Sequence, residues 1–338
     1  MEDGIAKRPV LGPGTIVNGY EILGLIGQGG FADIYKVMSI KFAKIFAAKI
    51  IYVPESQAKS TWNSFSVEVN SLMKMDHPNI IKLYDSFKYD KSFVIILEYC
   101  QKGSLMDEIE RYGRMHEDKF IPMFRQITSA LEYAHHQKLA HHDIKPQNIL
   151  FDSFGRAKLA DFGISLQMSF SVLSDDFKCS MAYAPPEVIA KKLHSPYQAD
   201  IWSLGITLIY ALTRDLPYDS YSAKSIKYSI STGNFNFRSP IPRQYLQLIK
   251  GMLVKSPAQR ISIEEISQFA QNLEDPEESL SLKSSRQGSA ISLVNGLKTP
   301  NMLLQTTSTG HKRRNTMITK GSSSSIKIIE TFRETILE

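Results

Sequence analysis

Cysteine is scarce in this chain: Cys100 and Cys179 are the only two among 338 residues. A disulfide framework is therefore not expected, and a reducing, cytoplasmic setting is the default. No run of about 18 apolar residues occurs, so no membrane span or membrane partner is expected. The opening Met1-Glu2-Asp3-Gly4-Ile5-Ala6-Lys7-Arg8 has no apolar stretch of the kind that marks a secretory signal. Acidic residues thin out at the far end. From Ser279 to Glu338 nine Lys/Arg face three Asp/Glu, which accounts for the whole net charge of +6. The remainder is near neutral, so nucleic acid is not expected as a partner of the globular part.

What is present is enough apolar material, 43% of residues, for a sizeable core. The length allows one large two-lobed unit, or two ordinary domains, plus a tail. Residues 1–17 are Gly- and Pro-rich and are expected to be a flexible leader. Tyr20–Ile26 and Asp33–Val37 flank a glycine turn and predict a hairpin, and Ile45–Ile51 predicts a buried third strand. From Trp62 to Met75 apolar residues recur with a helical period. Ser92–Tyr99 returns to strand. Helices are predicted over Lys119–Gln137, Gln198–Thr213 and Gln244–Val254. Beyond 273 the chain becomes a basic tail with 19 Ser/Thr in the 60 residues from Ser279, a composition expected to stay disordered.

The chemistry concentrates in His141-His142-Asp143-Ile144-Lys145-Pro146-Gln147-Asn148, followed thirteen residues later by Asp161-Phe162-Gly163. Two apolar runs around a Ser-Phe-Gly turn lie between them, and such a hairpin would return Asp161 close to Asn148. An Asn carbonyl and an Asp carboxylate are oxygen ligands suited to a hard cation whose shell substrate phosphates complete. This is the layout a phosphoryl-transfer site requires.

The ordered set H-x-D-x-x-x-x-N then D-F-G resembles the catalytic-loop and metal-loop signature of eukaryotic protein kinases. The resemblance covers roughly Tyr20 to Gln271 and looks most like the calcium/calmodulin-dependent and AMP-activated-kinase-like group. It implies an α+β bilobal fold: a small antiparallel-sheet lobe (about 18–98) with one main helix, and a larger, mainly helical lobe (about 103–272). It implies a serine/threonine kinase, because Asp-x-Lys-Pro-x-Asn carries the lysine that tyrosine kinases usually lack. ATP and Mg2+ follow as cofactors, proteins as substrates, and a monomer is the expectation. Alternatives are a pseudokinase scaffold, which would lose Lys49, Asp143 or Asp161, and a small-molecule kinase. The Pro185-Pro186-Glu187 segment and Ser180 argue against the second, as they build a peptide platform.

Residue by residue, the resemblance makes Asp143 the base, Lys145 the neutraliser of the transferring group, and Asn148 and Asp161 the metal ligands. Lys49 would hold phosphates and pair with Glu68 on the small-lobe helix. Gly27-Gln28-Gly29-Gly30, preceded by Ile26, matches the glycine-rich loop, with Ala32 in the third glycine's place and Ile34 in the valine's. Ile34, Ala47, Leu97 and Leu150 would enclose the base, with Ala160 behind, and the Glu98-Tyr99-Cys100 connector would bond adenine. Leu72, His141 and Phe162 match an internal stack. Glu187 is expected to pair with Arg260, and Asp200 to anchor the catalytic-loop backbone. The pattern departs at His142, which replaces an arginine that gathers a phosphorylated loop. Activity is thus expected not to depend strictly on phosphorylation at Ser169, Ser171 or Ser174. Gln147 and Ser104 stand where acids that read basic substrates are frequent, with Asp107 and Glu108 as possible compensators.

Overall fold

The computed structural model describes residues 11–29, 32–52, 69, 72–162, 181–218 and 222–274. Six antiparallel strands form one sheet in the order β1-β2-β3-β4-β6-β5. They are β1 (Ile16–Val17), β2 (Tyr20–Gln28), β3 (Ala32–Ser39), β4 (Lys44–Tyr52), β5 (Leu83–Tyr89) and β6 (Ser92–Glu98). Strand β3 alternates buried and half-buried residues along its whole length, the period of a strand with two unlike faces. Strand β4 is instead buried from Phe46 to Ile51, so the sheet has apolar packing on both sides. One face buries Ile22, Tyr35, Val37, Ala48, Ile50 and Ile96 in a single cluster. The other packs Ile51, Leu83, Phe93 and Ile95 with Val69, and Leu72 lies against that second cluster.

The leader expected over residues 1–17 ends earlier. Ile16 and Val17 pair with Glu21 and Tyr20, Val17 is 3% exposed, and Leu11 packs on the first cluster. Burying Val17 accounts for this, since a side chain of that size removed from water contributes about 1.5–3 kcal/mol. Strand β5 has no counterpart in the sequence reading. The predicted stretch from Trp62 lies mostly outside the described residues, and Val69, Leu72 and Met73 within it are helical.

The rest is mainly helical: α1 (Leu105–Tyr112), α2 (Glu117–His136), α3 (Pro186–Ile189), α4 (Pro196–Thr213), α5 (Ala223–Thr232), α6 (Arg243–Met252) and α7 (Ile263–Gln271). Every α4 residue from Ala199 to Thr213 is buried, and Asp200 is the one ionisable carboxylate among them. Helix α1 opens with a reciprocal cap: Ser104 Oγ accepts from the Asp107 N–H, and Asp107 Oδ2 accepts from the Ser104 N–H. Asp107 is thereby engaged, and Glu108 is paired with Lys119. Between the helices, β7 (Ile149–Phe151) and β8 (Ala157–Leu159) form a hairpin. Its turn is built on Asp152 Oδ1, which accepts the N–H groups of Phe154 and Arg156 at 2.9 Å each.

Candidate active site

The β7–β8 hairpin does what its two apolar runs suggested. The Ala160 N–H donates to the Asn148 carbonyl at 2.8 Å, so the residue before Asp161 is bonded to Asn148 itself. Both ends of the hairpin are therefore fixed by main chain before any side chain acts. A segment running past Asn79 holds the outer side: the Leu159 N–H donates to the Asn79 carbonyl at 2.7 Å, and Asn79 Nδ2 to the Ala157 carbonyl at 2.8 Å.

Within the loop, Asn148 Nδ2 donates to the Asp143 carbonyl (2.7 Å) and to Asp143 Oδ2 (3.0 Å). Lys145 Nζ sits 2.6 Å from the same Oδ2. The other oxygen, Asp143 Oδ1, is shielded from water and accepts no hydrogen bond among the described residues. A buried acceptor without a donor is costly, so this oxygen is set up for a partner from outside.

His141 is wholly buried and uses both ring nitrogens. Nε2 lies 2.7 Å from the Ala160 carbonyl, and Nδ1 accepts the Asp143 N–H at 3.2 Å. Those partners select the neutral Nε2–H tautomer. Burial pushes its pKa below 6.5 despite the nearby carboxylates. Its ring packs on Phe162, centroids 4.6 Å apart, which brings together two members of the expected stack.

The loop backbone is strained at His142, whose φ of 69° is left-handed. Asp200 holds it there. Its carboxylate accepts the N–H groups of His141 and His142 at 2.7 Å each and His135 Nε2 at 2.9 Å. Burial alone would raise this carboxyl, but the hydrogen bond and charge from His135, with His141, hold it below the ordinary value. The expectation that Asp200 anchors the loop is met.

Lys49 is 5% exposed on β4 and forms an ion pair with Asp161 Oδ1. Asp161 also has a left-handed φ, 68°. Burial raises its carboxyl, while Lys49 above all, then His141 and Lys145, bring it below the usual carboxylate range. Glu68, the expected partner of Lys49, lies outside the described residues, as do Gly30, Gly163, Ser169, Ser171, Ser174, Cys179 and Ser180.

Sheet register assembles the residues expected around the base. Ile34 faces Lys49, Ala47 faces Leu97, and Gly27 faces Ile34 across adjacent strands. Gly29 closes the turn after Gln28 through its N–H to the Ala32 carbonyl, 2.8 Å. A Cβ on Gly29 would approach that carbonyl to 3.3 Å, tight enough to favour glycine there. Leu150 is bridged to Ser104, beyond the connector. The Glu98 N–H is already bound to the Lys82 carbonyl at 2.9 Å, so Glu98 has only its carbonyl for an adenine. Its side chain turns away to Lys158 Nζ, 2.7 Å, in an ion pair the sequence reading missed. Cys100 carries a thiol that burial, helped by Glu98, pushes up to about 12.

The oxygen set at the loop fits a hard divalent cation. Asn148 spends its amide nitrogen on Asp143, so its amide oxygen, together with the Asp161 carboxylate, is of the chemical type that could serve such a cation. No cluster of three or more His, Cys, Asp or Glu able to hold a metal occurs among the described residues. A site of this kind completes its shell from phosphates and water, as magnesium sites do. No helix among the described residues is long and apolar enough to cross a membrane.

A family model for the protein kinase domain matches residues 20–270. The chain belongs to the protein kinase domain family. The chain is 34% identical over 262 residues to a carbon catabolite-derepressing protein kinase of Candida glabrata, covering 78% of this chain and 43% of that protein. It is 34% identical to the protein of the same name from Saccharomyces cerevisiae, covering 76% and 41% respectively. A sucrose non-fermenting protein kinase 1 from Fusarium virguliforme is also 34% identical, covering 74% and 36%. The chain thus spans less than half the length of these relatives. They agree with the group-level resemblance to AMP-activated-kinase-like enzymes drawn from the sequence.

Proposed function

We propose that this chain transfers the γ-phosphoryl group of ATP to serine or threonine hydroxyls of proteins, as a cytoplasmic monomer, with magnesium as the accompanying ion. One observation carries the reading. Asp143 has one oxygen held by Lys145 and Asn148 and the other, Oδ1, without a donor among the described residues. That free oxygen orients an acceptor hydroxyl and takes its proton late in transfer, since a loose phosphoryl transition state asks little covalent chemistry of the protein. Lys145, beside it, offsets charge growing on the transferred group. Lys49 binds the phosphates in place of the carboxylate it now holds. Gly27 and Gly29 let backbone N–H groups approach the same phosphates, while Ile34, Ala47, Leu97 and Leu150 enclose the base. Asn148, through its amide oxygen, and Asp161 would hold magnesium, whose charge would offset that of the phosphates. The curated relatives, named as protein kinases, support the same activity.

The test is transfer from labelled ATP with magnesium to a degenerate peptide library, run beside Asp161→Asn and Lys49→Met. Incorporation on Ser and Thr by the unaltered chain, and a loss of about 100-fold or more in both variants, is the expected result. Equal labelling by all three would mean a contaminant and end the reading.

A further inference from the structure

The return arm of the phosphate-facing hairpin carries a buried acid that the reaction described above does not use. Asp33 is 2% exposed and lies directly after Ala32, the residue in the third glycine's place. Strand alternation puts Ile34 on the face of Lys49 and puts Asp33 with Tyr35 and Val37 on the opposite, buried face. A carboxylate in that apolar layer is costly without a donor. Tyr52 supplies one: its hydroxyl donates to Asp33 Oδ2 at 2.9 Å. In the ladder Asp33 faces Ile50, so Tyr52 is its diagonal neighbour on β4, a span an aromatic side chain covers. Tyr52 is also only three residues beyond Lys49 on the same strand.

We infer that the Asp33–Tyr52 hydrogen bond is a positioning element for the triphosphate, tying the arm that leaves the glycine loop to the strand that carries Lys49. The two phosphate-binding elements are then held at one height by a side-chain bond as well as by the ladder. The bond also keeps the Asp33 carboxylate turned into the sheet, on the face opposite the phosphates it would repel. Both residues are positioning residues, since neither contacts the reacting atoms. This inference rests on the proposed nucleotide site, and it applies to phosphates rather than to the base.

Tyr52→Phe keeps the ring and removes only the hydroxyl. Equilibrium binding of Mg-ATP and of adenosine to the full chain, measured without turnover, separates the two parts of the site. Loss of one hydrogen bond at this position is expected to weaken Mg-ATP about three- to tenfold, with adenosine unchanged. Asp33→Asn, which keeps an acceptor oxygen for Tyr52, is expected to lose less, and it serves as the second variant should Tyr52→Phe fail to fold. Equal weakening of ATP and adenosine, or no change in either, overturns the inference. A chain that labels no peptide yet shows the ATP-selective loss would sink the transfer reaction and leave this inference standing.

Discussion

Arg260 and Glu187, 73 positions apart, meet as a two-point ion pair, Nη1 to Oε1 at 2.6 Å and Nη2 to Oε2 at 2.7 Å, with both side chains buried. The guanidinium also donates to the carbonyls of Val254 and Gln198, and its centre lies 5.0 Å from the Trp202 ring centroid. Three segments are thereby fixed to one planar cation: the turn before α7, the first turn of α4, and α3. Lysine could not reproduce this, having no fork to share between two oxygens.

Breaking the pair from one side leaves a buried guanidinium short of its counter-charge. Glu187→Gln is expected to cost about 3 kcal/mol of stability, read as a lower urea midpoint at unchanged slope. Arg260→Lys should fall in the same direction. A midpoint within error of the unaltered chain would show that the pair is not structural.

The Asp200 carboxylate contributes to stability in a way that depends on pH. Its folded value lies below 3.8 because three N–H groups, one from His135 and two from the loop backbone, converge on the ion. A depressed folded value means the stabilisation is complete above 3.8, the unfolded value, and is lost as pH falls below it. Asp200→Asn, with an amide that cannot accept from all three donors, is expected to be about 2 kcal/mol less stable at pH 7. The gap to the unaltered chain should shrink in urea titrations near pH 3. A gap independent of pH would rule out the ionised form as the anchor.

These long-range pairs show which parts of the site could be read in advance. Asp143, Asn148 and Asp161 were legible because a hairpin of fixed arm length brings them together, and that length is written in the spacing. Glu187, Arg260 and Asp200 followed from family resemblance alone, since nothing local marks an Arg as the partner of a Glu 73 positions away. Strand β5 escaped because Tyr84, Asp85, Ser86 and Lys88 break the apolar alternation; the strand sits at the sheet edge and needs only Leu83 well buried. The two residues of β1 are too few for any period. Lys158–Glu98 and Asp33–Tyr52 depend on sheet register and on which face each side chain takes, and single-chain periodicity gives neither.

Cys100, in the connector to the helical part, offers a direct check on local burial. A thiol pushed up to about 12 has very little thiolate at pH 8, so alkylation should run roughly 1000-fold slower than for an exposed cysteine. Peptide mapping after timed iodoacetamide treatment of the native chain reads this position separately from Cys179. Rapid native labelling of Cys100 would show the connector to be open to solvent. Denaturation in guanidinium should restore the ordinary rate.

Asn148 joins two tasks, and one substitution separates them. Its amide nitrogen donates twice to Asp143, while its oxygen is the group offered to a cation. Asn148→Asp adds charge for the cation but removes both donors, and it sets a second carboxylate about 3 Å from Asp143, where like charges raise the pKa of one of the pair. If cation binding were the whole role, the variant would need less magnesium and keep its rate. The geometry leads to the other outcome: kcat falls about 100-fold or more, with an added dependence on pH in the acidic range as the paired carboxylates share a proton. Rates measured from pH 5 to 8 at several magnesium concentrations distinguish the two. A variant that is fully active at lower magnesium would remove Asn148 from the positioning of Asp143.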